Sequence, residues 1–597
     1  MKNRLSGKTG FVGLILILQA LPCSVSLAPA ASPITPSGLN TQVTLSATPP
    51  PGKIQYDITG GTRPGGGLNL FHSFGNFNVP TNNIANFLNA GSVDLNGTVL
   101  LPNLPTANIL GRINGGNPSS IFGMIQTNGP GGFPTANLFL MNPNGFLFGP
   151  TATINVGGMV SFTSADYLRL ADGARFNAVP HAHADAVLSI APVAAFGFLG
   201  SNPGTITVQG SQLTVAEGTG ISLVGGNITV QGGTLTAPSG QINLVSVGKP
   251  SHPHVGGEVT NGAGFVATGF KSLGAITVSN GSTIDASGIA GTGQAAGSVS
   301  IRGGQFVMDD SAITDRPAGF AGGNQINGNI EVMADQVALS NHSTIDTSTQ
   351  IGSLGTPGNI TFNVNTFSAT DSTISTTTGG ALSSGAVTIQ GLEGSGASAQ
   401  SVSLTNTTVG TFAGGIVGTD GGPIVIRADN IALNQSNLSA LALDGNGGAI
   451  TLVSRGGLDI RNSGLDTRSL SPFTFGGPVN LKAGTQIDLT GSFITTRAQL
   501  TGGPITMAAP VISIRGSGLD VSGGTTGGTV LINGGAQFTS QQSTISAQSF
   551  TGNGGTIHIG AKTVALTDSQ LTTSVTGGPQ SVGGTITVDA NKVTFNN

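Results

Sequence analysis

Few residues in this chain could do chemistry. Asp309-Asp310 beside Asp315-Arg316 is its densest charged group, and Asp285, Asp346, Asp466 and Asp520 each close a Ser-x-Ile/Leu-Asp tetrapeptide. Carboxylates gathered on one face with a Lys or Arg are what polysaccharide cleavage requires, as acid and base or as a cradle for a cation. Here they recur at one repeated position, where Ser or Thr stands in other repeats. They therefore read as corner residues bonded to the backbone, and no catalytic residue is assigned. His181-Ala182-His183 and His252-Pro253-His254 raise metal binding. In an extended segment residues two apart face the same side, so each pair could give two ligands. Only Asp185 or Glu258 stands near to complete a set, and both pairs read as surface histidines. No nucleophile–base motif, phosphate loop or cofactor fingerprint is present, and neither a metal nor a cofactor is expected.

The sharper signal is a corner. Asn142-Pro143-Asn144-Gly145 combines a residue that presets φ, one that tolerates the left-handed region and one that adopts positive φ freely. Leu138-Phe139-Leu140-Met141 precedes it and Phe146-Leu147-Phe148 follows, predicting two short strands joined by a tight turn. Upstream, in order, stand Asn69-Leu70-Phe71-His72-Ser73-Phe74, Gly111-Arg112-Ile113, Asn117-Pro118-Ser119-Ser120 and Asn137-Leu138-Phe139.

Together these motifs resemble the N-terminal secretion domain of filamentous haemagglutinin-like two-partner-secretion exoproteins, over roughly residues 42–208. The Asn-Pro-Asn-Leu motif of the better-known haemagglutinins is missing. The opening at residues 65–79, GGGLNLFHSFGNFNV, is instead similar to a variant form of the domain. The resemblance implies a β-helical secretion domain, a dedicated outer-membrane β-barrel transporter as partner, and Asn142, Pro143, Asn144, Gly145, Asn117, Pro118 and Asn69 as the secretion motif.

The N-terminus carries the marks of an export signal. Lys2 and Arg4 precede the apolar run FVGLILIL at residues 11–18, and Ala28-Pro29-Ala30 follows as a small-residue cleavage site. The run is too short to span a bilayer, so residues 1–30 read as a cleaved signal peptide rather than an anchor. Cys23, the one cysteine, lies inside it. The remainder then has no disulfide to obstruct passage through a narrow pore.

Composition decides the rest of the architecture. At 597 residues the chain exceeds a single core. Charged residues make up 8%, against about a quarter in an ordinary domain, and 97 glycines follow no Gly-X-Y period. A net charge of −4 without a Lys/Arg cluster excludes a nucleic-acid partner, which needs a basic stripe.

From Gly204 onward one phrase repeats: Gly, then alternating apolar residues, as in Gly358-NITF, Gly448-AITL and Gly503-PITM. A second apolar pair follows, such as Ile487/Leu489 or Ile512/Ile514. A Ser-x-Ile/Leu phrase then comes 14 or 15 residues after the Gly, as at Ser343 and Ser517. Three short strands in about 27 residues predict an all-β, right-handed parallel β-helix, or β-solenoid, whose coils stack about 4.8 Å apart. About 14 such coils follow the N-terminal domain, with Gly expected at corners for its positive φ. The predicted domains are 1–30 signal peptide, 31–203 secretion domain and 204–597 repeats.

The function read from this is a non-enzymatic adhesin, secreted or displayed on the surface of a Gram-negative-type bacterium. Its partners are the outer-membrane transporter and a cell-surface or glycan ligand, with no transmembrane anchor. A secreted polysaccharide-active β-helix enzyme is the alternative.

Overall fold

Period-two apolar residues interrupted by glycine favour short strands over helices, and that is what the chain forms. The computed structural model describes residues 32–252, 255–262, 264–289, 295–318, 328–349, 355–380, 383–415, 418–578 and 580–596. The signal-peptide reading at residues 1–30, with Cys23, lies outside the described residues. The fold is a parallel β-solenoid of about 18 turns. Most strands belong to a 30-stranded sheet and a 13-stranded sheet that run along it.

One coil shows the plan. Val479–Lys482 and Gln486–Thr490 lie in the large sheet and Phe493–Thr495 lies in the second, the three strands the spacing predicts. Each pairs in register with its counterpart in the next coil: Ile505–Ala508, Val511–Arg515 and Gly518–Asp520. In-register stacking aligns like residues, so Val479, Leu481, Ile487, Leu489 and Ile494 point inward and are buried, joining a core continuous along the rod. The same stacking carries through residues 203 and 204: Phe146–Phe148 pairs with Ile206–Gln209.

The corners differ from the expectation that glycine is there for its positive φ. The glycines that open successive coils, among them Gly448, Gly477 and Gly503, are absent from the positive-φ residues. They are small because they stack backbone on backbone. A Cβ on Gly477 would lie 2.0 Å from the carbonyl oxygen of Gly448. The left-handed bend sits at another corner, before the third strand, and is taken mostly by Asn, Asp and Gln. Asn280, Asp310, Asp371, Asn406, Gln435, Asn462, Gln542 and Asp568 all have φ between 44° and 59°. Their short polar side chains make that region accessible.

Immediately after this bend comes the Ser of the repeated Ser-x-Ile/Leu phrase, turned inward. Ser463 Oγ donates to the carbonyl of Arg461 in its own coil at 2.7 Å and accepts the N–H of Ser436 in the preceding coil at 3.0 Å. The pattern continues through Ser492, Ser517, Ser543 and Ser569. A row of hydroxyls thus ties coil to coil inside the rod.

The N-terminal coils carry additional layers. Ile34–Gly38 pairs antiparallel with Asn69–Phe77, and Thr41–Leu45 pairs antiparallel with Ile54–Gly60. Outside the solenoid, Tyr167–Leu170, Arg175–Asn177, Val193–Phe198, Gly257–Thr260 and Ala267–Thr268 form an antiparallel sheet. It encloses a second core with Phe71, Leu110, Phe139 and Met141, which lie on the outward side of solenoid strands.

Candidate functional site

The NPNG corner joins Asn137–Met141 to Phe146–Phe148. Its local chemistry makes the turn. Gly145 N–H donates to Asn142 O at 2.8 Å, and Asn142 Oδ1 accepts the N–H of Asn144 at 3.0 Å. Gly145 has φ +97°, and a Cβ there would lie 2.0 Å from the carbonyl oxygen of Thr205. Glycine is required at this corner on both counts.

Asn142 is completely buried. Its Nδ2 donates to the carbonyl of Asn117 and to Ser119 Oγ, each at 3.0 Å, while its own N–H donates to Thr163 O. On the other side Pro143 O accepts the N–H of Gly204, and Phe146 N–H reaches Thr205 O. The NPNG and NPSS segments, 25 residues apart, are thereby locked together, with residues 203–205 sealing the stack. Asn117 and Pro118 are exposed, while Pro143 and Asn144 are half-buried.

Asn69 lies elsewhere. It is buried, with Nδ2 donating to Ser189 O and Ala191 O, and its Oδ1 accepts from Asn108 Nδ2 at 2.9 Å. Asn108 Oδ1 in turn accepts from Asn137 Nδ2 at 3.0 Å. This asparagine ladder binds three coils together and ties them to the segment before Val193. The structure therefore brings six of the seven motif residues to one corner and assigns Asn69 to an internal ladder.

Beside the corner lies a surface groove of about 750 Å³, lined by Asn78, Asn117, Pro118, Ser120, Phe146, Leu147, Thr205 and Thr207. Ser120, Leu147 and Thr207 stack in register along it. The lining has no ionisable side chain, so whatever it receives is recognised by shape, apolar contact and neutral hydrogen bonds. Sequence reading did not single out Leu147 or Thr207 as groove residues, because only the stacking of three distant segments brings them together.

Two further features fix the N-terminal region. Arg112, buried at 2% exposure, forms a two-pronged ion pair with Asp185, at 2.7 and 2.8 Å, and its Nε donates to Ser73 Oγ. His72 is buried against Phe74 and Phe87. Burial, with the nearby Arg63 cation second, depresses its pKa to about 3, so the imidazole is neutral.

The chemistry weighed for the aspartates and histidines resolves differently. Asp285, Asp346, Asp466 and Asp520 do share one row of the 13-stranded sheet. Each uses Oδ1 to accept the N–H two residues on, at 2.8–3.0 Å. These are the side-chain-to-backbone corners the repeat suggests. The extended geometry assumed for His181 and His183 does not hold: His181 caps the short helix Ala182–Asp185, with Nδ1 accepting from Ala184 N–H. Asp185, the nearest acidic residue, is engaged by Arg112. Of the other pair, His254 lies outside the described residues.

Residues 37–301 match the family model of the TPS secretion domain. The N-terminal part of the chain therefore carries the secretion domain of a two-partner-secretion exoprotein. Among solved structures, the HMW1 secretion domain from Haemophilus influenzae aligns at 14% identity with TM-score 0.33, covering 94% of this chain and 99% of that one. The filamentous hemagglutinin secretion domain aligns at 14% identity with TM-score 0.25, covering 68% and 99%. No curated protein matches the chain in sequence. Among the described residues no helix is long and apolar enough to cross a membrane.

Proposed function

We propose that this chain is an adhesin of the two-partner-secretion class, exported through a dedicated outer-membrane β-barrel that docks in the uncharged groove beside the NPNG corner. In this reading Asn142 and Gly145 shape the corner from inside, while Asn117, Pro118 and the half-buried Pro143 and Asn144 present its outer surface. Asn69 acts at a distance by holding the coils in register. Residues 1–30 take the chain across the inner membrane, residues 31–203 carry the address, and the coils of 204–597 form the displayed rod. Each coil that folds outside buries its apolar row on the previous one, which biases the chain outward.

The observation that carries this reading is the bonding of Asn142 to Asn117 and Ser119 beside the groove, within the matched residues 37–301. A non-enzymatic role agrees with the aspartate row, in which every carboxylate is used by its own corner. The rod offers long ladders of Ser, Thr and Asn to a cell-surface or glycan ligand.

The test is location. Wild type, an Asn142→Ala/Asn144→Ala double variant and a Leu147→Glu groove variant are compared in periplasm, outer surface and medium. Wild type outside, with both variants retained in the periplasm, supports the reading. Equal arrival of Leu147→Glu outside, with its fold intact by protease resistance, removes the groove from it.

A further inference from the structure

At the step where each coil turns from the 13-stranded sheet back to the large sheet, one side chain points into the rod. In five coils it is a threonine with no exposed surface: Thr347, Thr376, Thr411, Thr467 and Thr496. Each Oγ1 donates to the carbonyl of the glycine that opens the next strand, at 2.6–2.8 Å, as Thr411 does to Gly422. In the coil after strand Ala312–Thr314 this place is taken by Asp315. Its backbone N–H bonds to Asp346 O, so it sits in register with its neighbours. The side chain is fully buried, and among the described residues neither carboxylate oxygen has a well-formed hydrogen bond; the Gly297 N–H beside it is taken by Ala286 O at 2.9 Å. Its Oδ2 faces Gly328, where a Cβ would lie 2.8 Å away.

A carboxylate cannot do what threonine does here. It has only acceptor lone pairs, and it would meet a carbonyl oxygen that also only accepts. The protonated acid has the missing donor. No counter-charge is free to hold it ionised. Arg316, next in the chain, turns away to Asp346 on the following coil, with Nε 2.7 Å from Oδ2. Asp285, on the preceding coil, is another negative group, and it already accepts from Ser287 N–H and Thr314 Oγ1. Residues 319–327, GFAGGNQIN, contain no ionisable side chain.

We infer that Asp315 is carried in the folded rod as a neutral carboxylic acid whose O–H donates to the carbonyl of Gly328, making this coil a pH-sensitive joint. Burial first and Asp285 second push its pKa well above the ordinary carboxylate range, outweighing the opposing pull of the Gly297 backbone N–H. An acid whose folded pKa is raised gives full stability below its unfolded pKa. That stability is lost as pH rises toward the folded value, so this joint loosens in alkali.

The test is hydrogen exchange on the full chain between about pH 5 and 9, corrected for the intrinsic rate, for wild type, Asp315→Thr and Asp315→Asn. One proton linked to opening predicts that the opening equilibrium of residues 312–346 rises about tenfold per pH unit in wild type, up to the folded pKa. It should stay flat in Asp315→Thr. The infrared band of a protonated carboxyl should be present in wild type and lost in both variants. An equal slope in wild type and Asp315→Thr, an ionised carboxylate at neutral pH, or failure of Asp315→Thr to fold would overturn the inference. If Asp315→Asn does not fold, the threonine variant decides alone, since threonine is the residue that five other coils use.

Discussion

Asn142 Nδ2 lies 3.0 Å from the carbonyl oxygen of Asn117, so the side chain of one Asn-Pro turn holds the backbone of another, one coil away. The same side chain serves both neighbours at once, because its Oδ1 accepts from Asn144. A side chain that both donates and accepts is needed, and its burial leaves no water to replace it. Asn142→Asp keeps the acceptor but sets a negative oxygen against the Asn117 carbonyl. We expect it to destabilise the corner by about 2–4 kcal/mol. Asn144→Asp turns the Asn144 Nδ2–Asn142 Oδ1 bond at 3.2 Å into an oxygen–oxygen contact, but from its half-buried position the carboxylate can swing to water, and it should cost less than Asn142→Asp, about 1 kcal/mol. Hydrogen exchange at residues 117–121 and 203–207 measures both. Equal effects at the two positions would show that the corner does not depend on Asn142.

The serine row makes a second prediction. Ser492 Oγ accepts the N–H of Ser463 and donates to Thr490 O within its own coil. Alanine leaves that N–H buried without a partner, a loss of about 1–3 kcal/mol at one joint. Threonine should be tolerated, because it keeps a hydroxyl that can both donate and accept, and Thr407 shows that the place holds a threonine, donating to Thr405 O at 2.9 Å. Protease cleavage near residues 463–492 should rise in Ser492→Ala and stay at the wild-type level in Ser492→Thr.

Much of this architecture is legible in the sequence because a solenoid writes each coil in the same words. The three strands of the coil at 479–495 sit where the spacing of Val479/Leu481, Ile487/Leu489 and Ile494 puts them. What does not repeat is harder to read. The outer antiparallel sheet pairs Val193–Phe198 with Gly257–Thr260, some 60 residues apart, and no periodicity announces it. A local sign does exist: Leu138-Phe139-Leu140-Met141 is apolar at every position, as a strand buried on both faces must be. The NPNG turn is readable from its residue types, but the groove is not, because Ser120, Leu147 and Thr207 meet only through register.

His72 gives the N-terminal coils a sensitivity opposite to that of Asp315. Its pKa falls from 6.5 to about 3 on folding, chiefly through burial, so the unfolded chain binds a proton that the folded chain refuses. Stability is complete above pH 6.5 and declines as pH falls toward 3, by about 1.4 kcal/mol per pH unit. His72→Leu removes the titrating group, although Thr41 Oγ1, 3.3 Å from Nδ1, loses a partner. The variant should be less stable than wild type at pH 7 yet lose less between about pH 6 and 4. Proteolysis of the N-terminal coils across that range measures the slope. Parallel curves for the two proteins would assign acid sensitivity to another group.

The two kinds of glycine predict opposite responses to substitution. Gly477 has an ordinary φ but no room: an added Cβ meets three backbone atoms of the preceding coil, the nearest at 2.0 Å. Backbone cannot rotate aside as a side chain can, so Gly477→Ala must pry two coils apart, and we expect a loss of more than about 3 kcal/mol. Gly516 is the reverse, with φ +56° and open space around its Cα. It occupies the bend that Asn462 fills two coils earlier and Gln542 one coil later, at φ 48° and 47°. Gly516→Asn therefore introduces a residue the bend already accepts and restricts the unfolded chain. It should be neutral or stabilising by up to about 1 kcal/mol. Thermal melts of the full chain, with local exchange at residues 448–503 and 490–542, separate the two. If Gly516→Asn proved as damaging as Gly477→Ala, the corners would depend on backbone freedom rather than on the stacking contact.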